Sequence, residues 1–73
     1  MPERPEDYQE RQVSIEGHPA RLRTFRLGSL FYTSVDNVDP GGVLVRVEGS
    51  TREEAEQRAI QEARREFLAY THR

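Results

Sequence analysis

Apolar and polar residues alternate singly through the middle of the chain, then switch to a spacing of three to four residues near its end. From Arg11 to Glu16, Val13 and Ile15 share one side while Gln12, Ser14 and Glu16 share the other, which predicts a half-buried strand. Gly17-His18-Pro19 carries turn chemistry, because glycine accepts positive φ and proline fixes its own. Arg21 to Leu27 reads as a second strand, with an imperfect alternation that a bulge or an edge position explains. Leu27-Gly28-Ser29-Leu30 has the Gly-X pair of a two-residue type II′ hairpin. A third strand follows through Leu30-Phe31-Tyr32-Thr33-Ser34-Val35, rich in aromatic and β-branched residues. Asp39-Pro40-Gly41-Gly42 closes it, and Val43 to Glu48 gives a fourth strand with its three valines on one face.

The period changes at Gly49-Ser50-Thr51. Ser50 and Glu53 have capping-box spacing, and Glu53 and Glu54 suit the positive end of a helix dipole. At about 100° per residue, Ala55, Ala59, Ala63, Phe67 and Tyr70, with Ile60 beside them, fall on one stripe. Glu54, Arg58 and Glu62 follow one another at i,i+4 spacing on the opposite, solvated face. The expected architecture is α+β: an antiparallel β-meander of three to four strands with one C-terminal amphipathic helix packed on one face. Residues 1–10, acidic and punctuated by Pro2 and Pro5, are expected to be a flexible tail before a single β-β-β-β-α domain over 11–73.

One helix covers one face of such a sheet, so the other face is polar or buries itself on something else. Leu30, Tyr32 and Leu44 are expected on that uncovered side, which argues for a homo-oligomer, a dimer first, or for a small protein partner. Size strengthens this expectation. A chain of 73 residues buries only about 60–65% of its unfolded surface and gains from a further staple. The absence of cysteine removes disulfides, thiolate metal sites and thiol catalysis.

Charge narrows the partners further. The formal net charge is −2, which gives no general attraction to nucleic acid or to an anionic membrane. All 11 basic residues are arginine, as expected from a GC-rich coding bias and a thermophilic host. No apolar run approaches the roughly 18 residues that would span a bilayer, and the acidic N-terminus is the reverse of a signal peptide, so the expected location is cytoplasmic. Against the net charge, Arg21, Arg23 and Arg26 stand with Phe25, and with Phe31 and Tyr32 on the next strand. Such a basic and aromatic sheet surface is the kind on which single-stranded bases stack. Nucleic acid is therefore the alternative partner, and it is not favoured.

Catalytic chemistry is not in evidence. His18 lies in a predicted turn and His72 near the C-terminus, both as surface histidines rather than members of a rigid triad. Asp36 to Val47 has glycine at the sixth place of a calcium-loop pattern, but Val38, Pro40 and Val47 stand where oxygen ligands are needed. No phosphate-binding glycine loop is present, and no cofactor is expected.

The string FYTSVDNVDPGG…EGSTREEAEQRA is similar to HicB-type antitoxins of bacterial toxin–antitoxin pairs, through Tyr32, Val35, Pro40, Gly41, Gly49, Thr51, Glu54, Ala55 and Ala59. The resemblance covers about 30 residues and implies a partial RNase H-like fold, oligomerisation, and neutralisation of a small RNA-cleaving toxin by binding it. The succession of strands before a final Ala-rich helix also resembles double-stranded RNA-binding domains. Their helix start carries phosphate-gripping lysines; here the stretch is Thr51-Arg52-Glu53-Glu54, so that resemblance is one of topology. The resulting expectation is a non-enzymatic interaction module.

Overall fold

Four strands pair in sequence order into one antiparallel sheet: β1 (Glu6–Ile15), β2 (His18–Leu27), β3 (Leu30–Asn37) and β4 (Val43–Gly49). A single helix, α1 (Arg52–Thr71), then runs back over one face. The computed structural model describes residues 5–38 and 41–71, the last two of these by backbone alone. The expected Asp39-Pro40 turn, the Tyr70 side chain and His72 lie outside the described residues. The architecture is the α+β meander-and-helix arrangement that the periodicities predict.

Two hairpins are built by short turns with opposite demands. Glu16 and Gly17 both have positive φ, +51° and +77°, which is a type I′ turn joining Ile15 to His18. Gly28 alone is positive in its turn, at +65°, as type II′ requires. The first turn sits one residue earlier than Gly17-His18-Pro19 predicted. His18 therefore opens β2 instead of lying in a surface turn, and its ring stacks on Phe67. Pro19 is tolerated because its carbonyl accepts from Val38 N at 3.4 Å, so its missing donor faces the end of β3 rather than β1.

Strand β1 begins at Glu6, so residues 6–10 belong to the sheet and not to a flexible tail. Alternation could not show this, since the segment is exposed throughout. Cross-strand charge holds it instead: Arg26 bonds Glu6 and Asp7, and Arg21 Nε lies 3.0 Å from Glu10. A bulge between Glu6 and Gln9, with Asp7 at φ +55°, re-aims the start of the strand. Arg52 Nη2 donates to the Asp7 carbonyl at 2.6 Å and ties this bulge to the helix.

The second strand is neither bulged nor at an edge; it pairs without a register shift from Ala20↔Asn37 to Leu27↔Leu30. Its alternation looked imperfect because Phe25 is an apolar residue on the uncovered face. The second bulge falls in β4, between the pairs Val35↔Val45 and Asp36↔Val43, and Leu44 is the extra residue. It reverses the expected facing of Val43 and Leu44 alone. Val45 and Val47 look toward the helix, Val43 shares the side of Asp36, and Leu44 packs against the core.

That core consists of Ile15, Ala20, Leu22, Val35 and Val45 from the sheet under Ala59, Ala63 and Phe67 from the helix. Full burial of each large side chain is worth about 1.5–3 kcal/mol, so a handful of residues carries this fold. The alanine stripe has a steric purpose. Ala55, Ala59 and Ala63 are wholly inaccessible, and their small side chains let the helix backbone approach the strands. At the tightest point a Cβ on Gly49 would stand 2.7 Å from Ala55 N, so only glycine fits. Beneath the helix the layer is not all apolar: Thr24 and Thr33 hydrogen-bond across strands at 2.9 Å, both buried. Thr24 also donates to Glu56 at 3.5 Å, and Glu56 pairs with Arg11 at 3.0 Å.

The helix cap is displaced one residue from the predicted one. Thr51 is the N-cap: its Oγ1 accepts from Glu54 N at 3.1 Å, and its carbonyl accepts from Ala55 N at 3.0 Å. Ser50 donates to the Glu54 carboxylate at 3.1 Å. Gly49, Thr51, Glu54, Ala55 and Ala59 of the antitoxin-like string are thus each accounted for by close approach, capping or burial. Among the described residues, no helix is long and apolar enough to cross a membrane.

Candidate binding surface on the open face of the sheet

Residues paired across antiparallel strands point to the same side, so the register maps the face that α1 leaves uncovered. One row runs Gln12, Arg21, Asp36, Val43 from β1 to β4. The next runs Glu10, Arg23, Ser34, Arg46. A third holds Phe25, Tyr32 and Glu48, with Tyr8 beside Phe25 on the β1 side. Leu27 and Leu30 close the surface at the Gly28-Ser29 turn.

The register thus sorts the residues that the sequence singled out. Arg21, Arg23, Phe25, Leu30 and Tyr32 lie together on this face. Two do not. Arg26 shares the side of Phe31 and Thr24, where Glu6, Asp7 and the Gly28 carbonyl hold it, the last at 2.9 Å. Leu44 is turned to the core by the β4 bulge. Phe31 is also on the helix side, with the Arg52 guanidinium 5.3 Å from its ring centroid. Sequence reasoning missed Tyr8, Ser34 and Arg46. Tyr8 fell in the segment read as a tail, and Ser34 and Arg46 acquire meaning only when the register sets them beside Arg23.

Phe25 and Tyr32 stack with ring centroids 5.6 Å apart and planes 21° from parallel. This is the favourable offset range for aromatic pairs and presents a broad, stiff apolar plate. Arg23 Nη2 contacts both carboxylate oxygens of Asp36, at 3.0 and 2.9 Å, and Arg21 pairs with Glu10. Burial opposes the Arg23 charge, but Asp36 and then Tyr8 outweigh it and raise its pKa, so the guanidinium is cationic at every working pH. The Nε of Arg23 is nonetheless buried without a hydrogen-bond partner. Arg46 makes no ion pair with any described residue.

Between these groups lies a cleft of about 340 Å³ lined by Tyr8, Arg23, Phe25, Tyr32, Thr33, Ser34, Arg46 and Val47. Over the whole face, Arg21, Arg23 and Arg46 are matched by Glu10, Asp36 and Glu48, so the surface is charge-balanced. Tyrosine, phenylalanine and arginine on such a surface are the residue types enriched where proteins bind proteins. Among the described residues, no group of three or more His, Asp or Glu stands together as a metal site. Comparison with protein-family models, curated proteins and solved structures found no match to this chain.

Proposed function

We propose that this chain is a non-enzymatic protein-interaction module whose binding surface is the open face of the sheet. The observation that carries the reading is the Phe25–Tyr32 stack, set beside Tyr8 and arginines on a face that none of the described elements covers. Area defines the kind of contact. Four strands spaced about 4.8 Å apart and some 23 Å long offer roughly 450 Å². A standard interface uses about 800 Å² per partner, so the contact is small, transient and dependent on a few anchors.

Charge balance supports a protein rather than nucleic acid. Glu10, Asp36 and Glu48 interrupt any path a phosphate backbone would take across the arginines, and phosphate contacts dominate nucleic-acid affinity. The similarity to HicB-type antitoxins points toward a protein partner as well, and self-association as a dimer belongs to the same reading.

The test is a capture experiment with wild-type protein and the Phe25→Thr/Tyr32→Thr double variant, which keeps β-forming residues in both strands. A protein held by the wild type and released from a folded variant supports the proposal. Salt-sensitive nucleic acid held without any protein moves the assignment to the alternative. Sedimentation equilibrium of the same pair reads self-association independently.

A further inference from the structure

We propose that the cleft between Arg23 and Arg46 is a receptor for an acidic side chain of a partner peptide, with a neighbouring aromatic residue seated on the Phe25–Tyr32 plate. This inference rests on the open face being a protein-binding surface, and it adds the chemistry of what is bound.

The cross-strand row Arg23–Ser34–Arg46 supplies the geometry. Two arginines flank a serine, their backbones two strand spacings apart, or about 9.6 Å. Both side chains and the serine line one cleft, where the serine hydroxyl gives a further donor. Arginine is the residue best suited to a planar carboxylate.

Both cations have unused capacity. Arg46 has no ion-pair partner among the described residues, and Arg23 spends Nη2 on Asp36 while its buried Nε bonds nothing. A buried donor without an acceptor is unusual in a folded protein and marks the Arg23 side chain as incompletely satisfied. The cleft lining contains two arginines and no carboxylate, although the face as a whole is balanced. Arg46, without an ion-pair partner among the described residues, is therefore the uncompensated charge of the cleft, and Arg23 is the one shared with Asp36.

That distribution selects one kind of anion. A single Asp or Glu side chain entering on the Arg46 side of the cleft meets no acid among the lining residues. A polyanion continuing beyond it runs onto Glu10, Asp36 or Glu48. The volume of about 340 Å³ lies at the small end of ligand sites, enough for a carboxylate side chain and part of its neighbour. The stacked rings border the same cleft, so an aromatic residue beside the acid reaches them without a second site.

The experiment uses the whole chain and two end-blocked peptides, Gly-Gly-Glu-Phe-Gly-Gly and Gly-Gly-Gln-Phe-Gly-Gly, followed by NMR amide shifts. The expected result is tighter binding of the Glu peptide by about five-fold, with the largest shifts at Ser34, Arg46 and Tyr32. Arg46→Gln, at an exposed position, should remove that preference while leaving the Gln peptide unaffected. Equal affinity for the two peptides overturns the acidic specificity while leaving the protein-binding reading intact. No shifts on the open face with either peptide also overturns it, and the capture experiment then judges the broader reading alone. Tighter binding of octathymidylate at the same amides overturns it in favour of nucleic acid.

Discussion

The imidazole of His18 lies flat on the ring of Phe67, centroids 4.6 Å apart and planes 4° from parallel. His18 opens β2 and Phe67 belongs to the last full turns of α1, so this stack fastens the far end of the helix to the first hairpin. Arg64 reinforces the junction by reaching Glu16 at 3.1 Å. His18→Ala should lower unfolding free energy by about 1 kcal/mol through the lost ring contact. Phe67→Leu should cost a comparable amount through both contact and volume. In a urea-denaturation double-mutant cycle the two losses should overlap by at least half; full additivity would show that the rings do not support each other.

Gly49 and Gly17 predict unequal responses to the same added methyl, with different causes. Gly49→Ala drives a Cβ against backbone atoms of Ala55, which cannot rotate away, and the helix start must shift. The expected loss is about 2–3 kcal/mol, enough to unfold much of a domain this small. Gly17→Ala meets no atom within 4 Å and suffers only from its left-handed φ, a loss of about 1 kcal/mol. Gly17→Asn should recover most of that. Thermal melts of the three variants give the comparison, and a Gly49→Ala protein as stable as wild type would refute the close approach.

The position of the helix cap is open to direct test. Thr51→Ala removes the oxygen that accepts from Glu54 N and should cost about 1 kcal/mol. Ser50→Ala removes only an exposed bond to the Glu54 side chain and should cost no more than about 0.5 kcal/mol. The reverse order in chemical denaturation would restore Ser50 as the cap.

The Thr24–Thr33 pair should behave as a unit. Thr24→Val leaves the Thr33 hydroxyl buried without its cross-strand partner, a penalty of about 1–3 kcal/mol. The double variant Thr24→Val/Thr33→Val removes both hydroxyls from the bond and keeps similar volume, so it should be more stable than Thr24→Val alone. Equilibrium unfolding of the two proteins decides the matter.

Leu44→Glu tests the reversed facing of β4. With Leu44 packed against the core, the substitution should destabilise the monomer by about 2 kcal/mol or more. A protein of unchanged stability that merely loses self-association would return Leu44 to the open face.

Element order, the two-residue hairpin at Gly28-Ser29 and the alanine stripe were legible in the sequence because each depends on local chemistry or a simple period. The errors at Val43, Leu44 and His18 share one cause, which is that a single residue added to a strand or turn changes the facing of its neighbours. Leu44 and Val43 were assigned to the wrong sides by a bulge that no residue type advertises. His18 was misplaced by a turn that takes Glu16 into positive φ, a conformation glutamate seldom adopts. The segment Glu6–Glu10 has no buried face, and its cross-strand ion pairs can be read only once partners are known. Part of the candidate surface was visible as Arg21, Arg23, Phe25, Leu30 and Tyr32. Its cleft was not, because Arg46 stands 23 positions from Arg23 in sequence and meets it only through Ser34.

The β4 bulge has a consequence for growth by strand addition. The register turns the Glu48 carbonyl away from β3, and Arg58 Nη1 occupies it at 3.1 Å, while Leu44 breaks the regular spacing at the other end of the strand. On the opposite border, Gln9 to Ile15 keeps an unbroken ladder with β2 and turns the amides and carbonyls of Glu10, Gln12 and Ser14 outward. The two borders of the sheet are therefore unequal: along β1 the row of outward backbone groups is regular, and along β4 it is interrupted at both ends. An incoming strand finds the longer continuous ladder at β1.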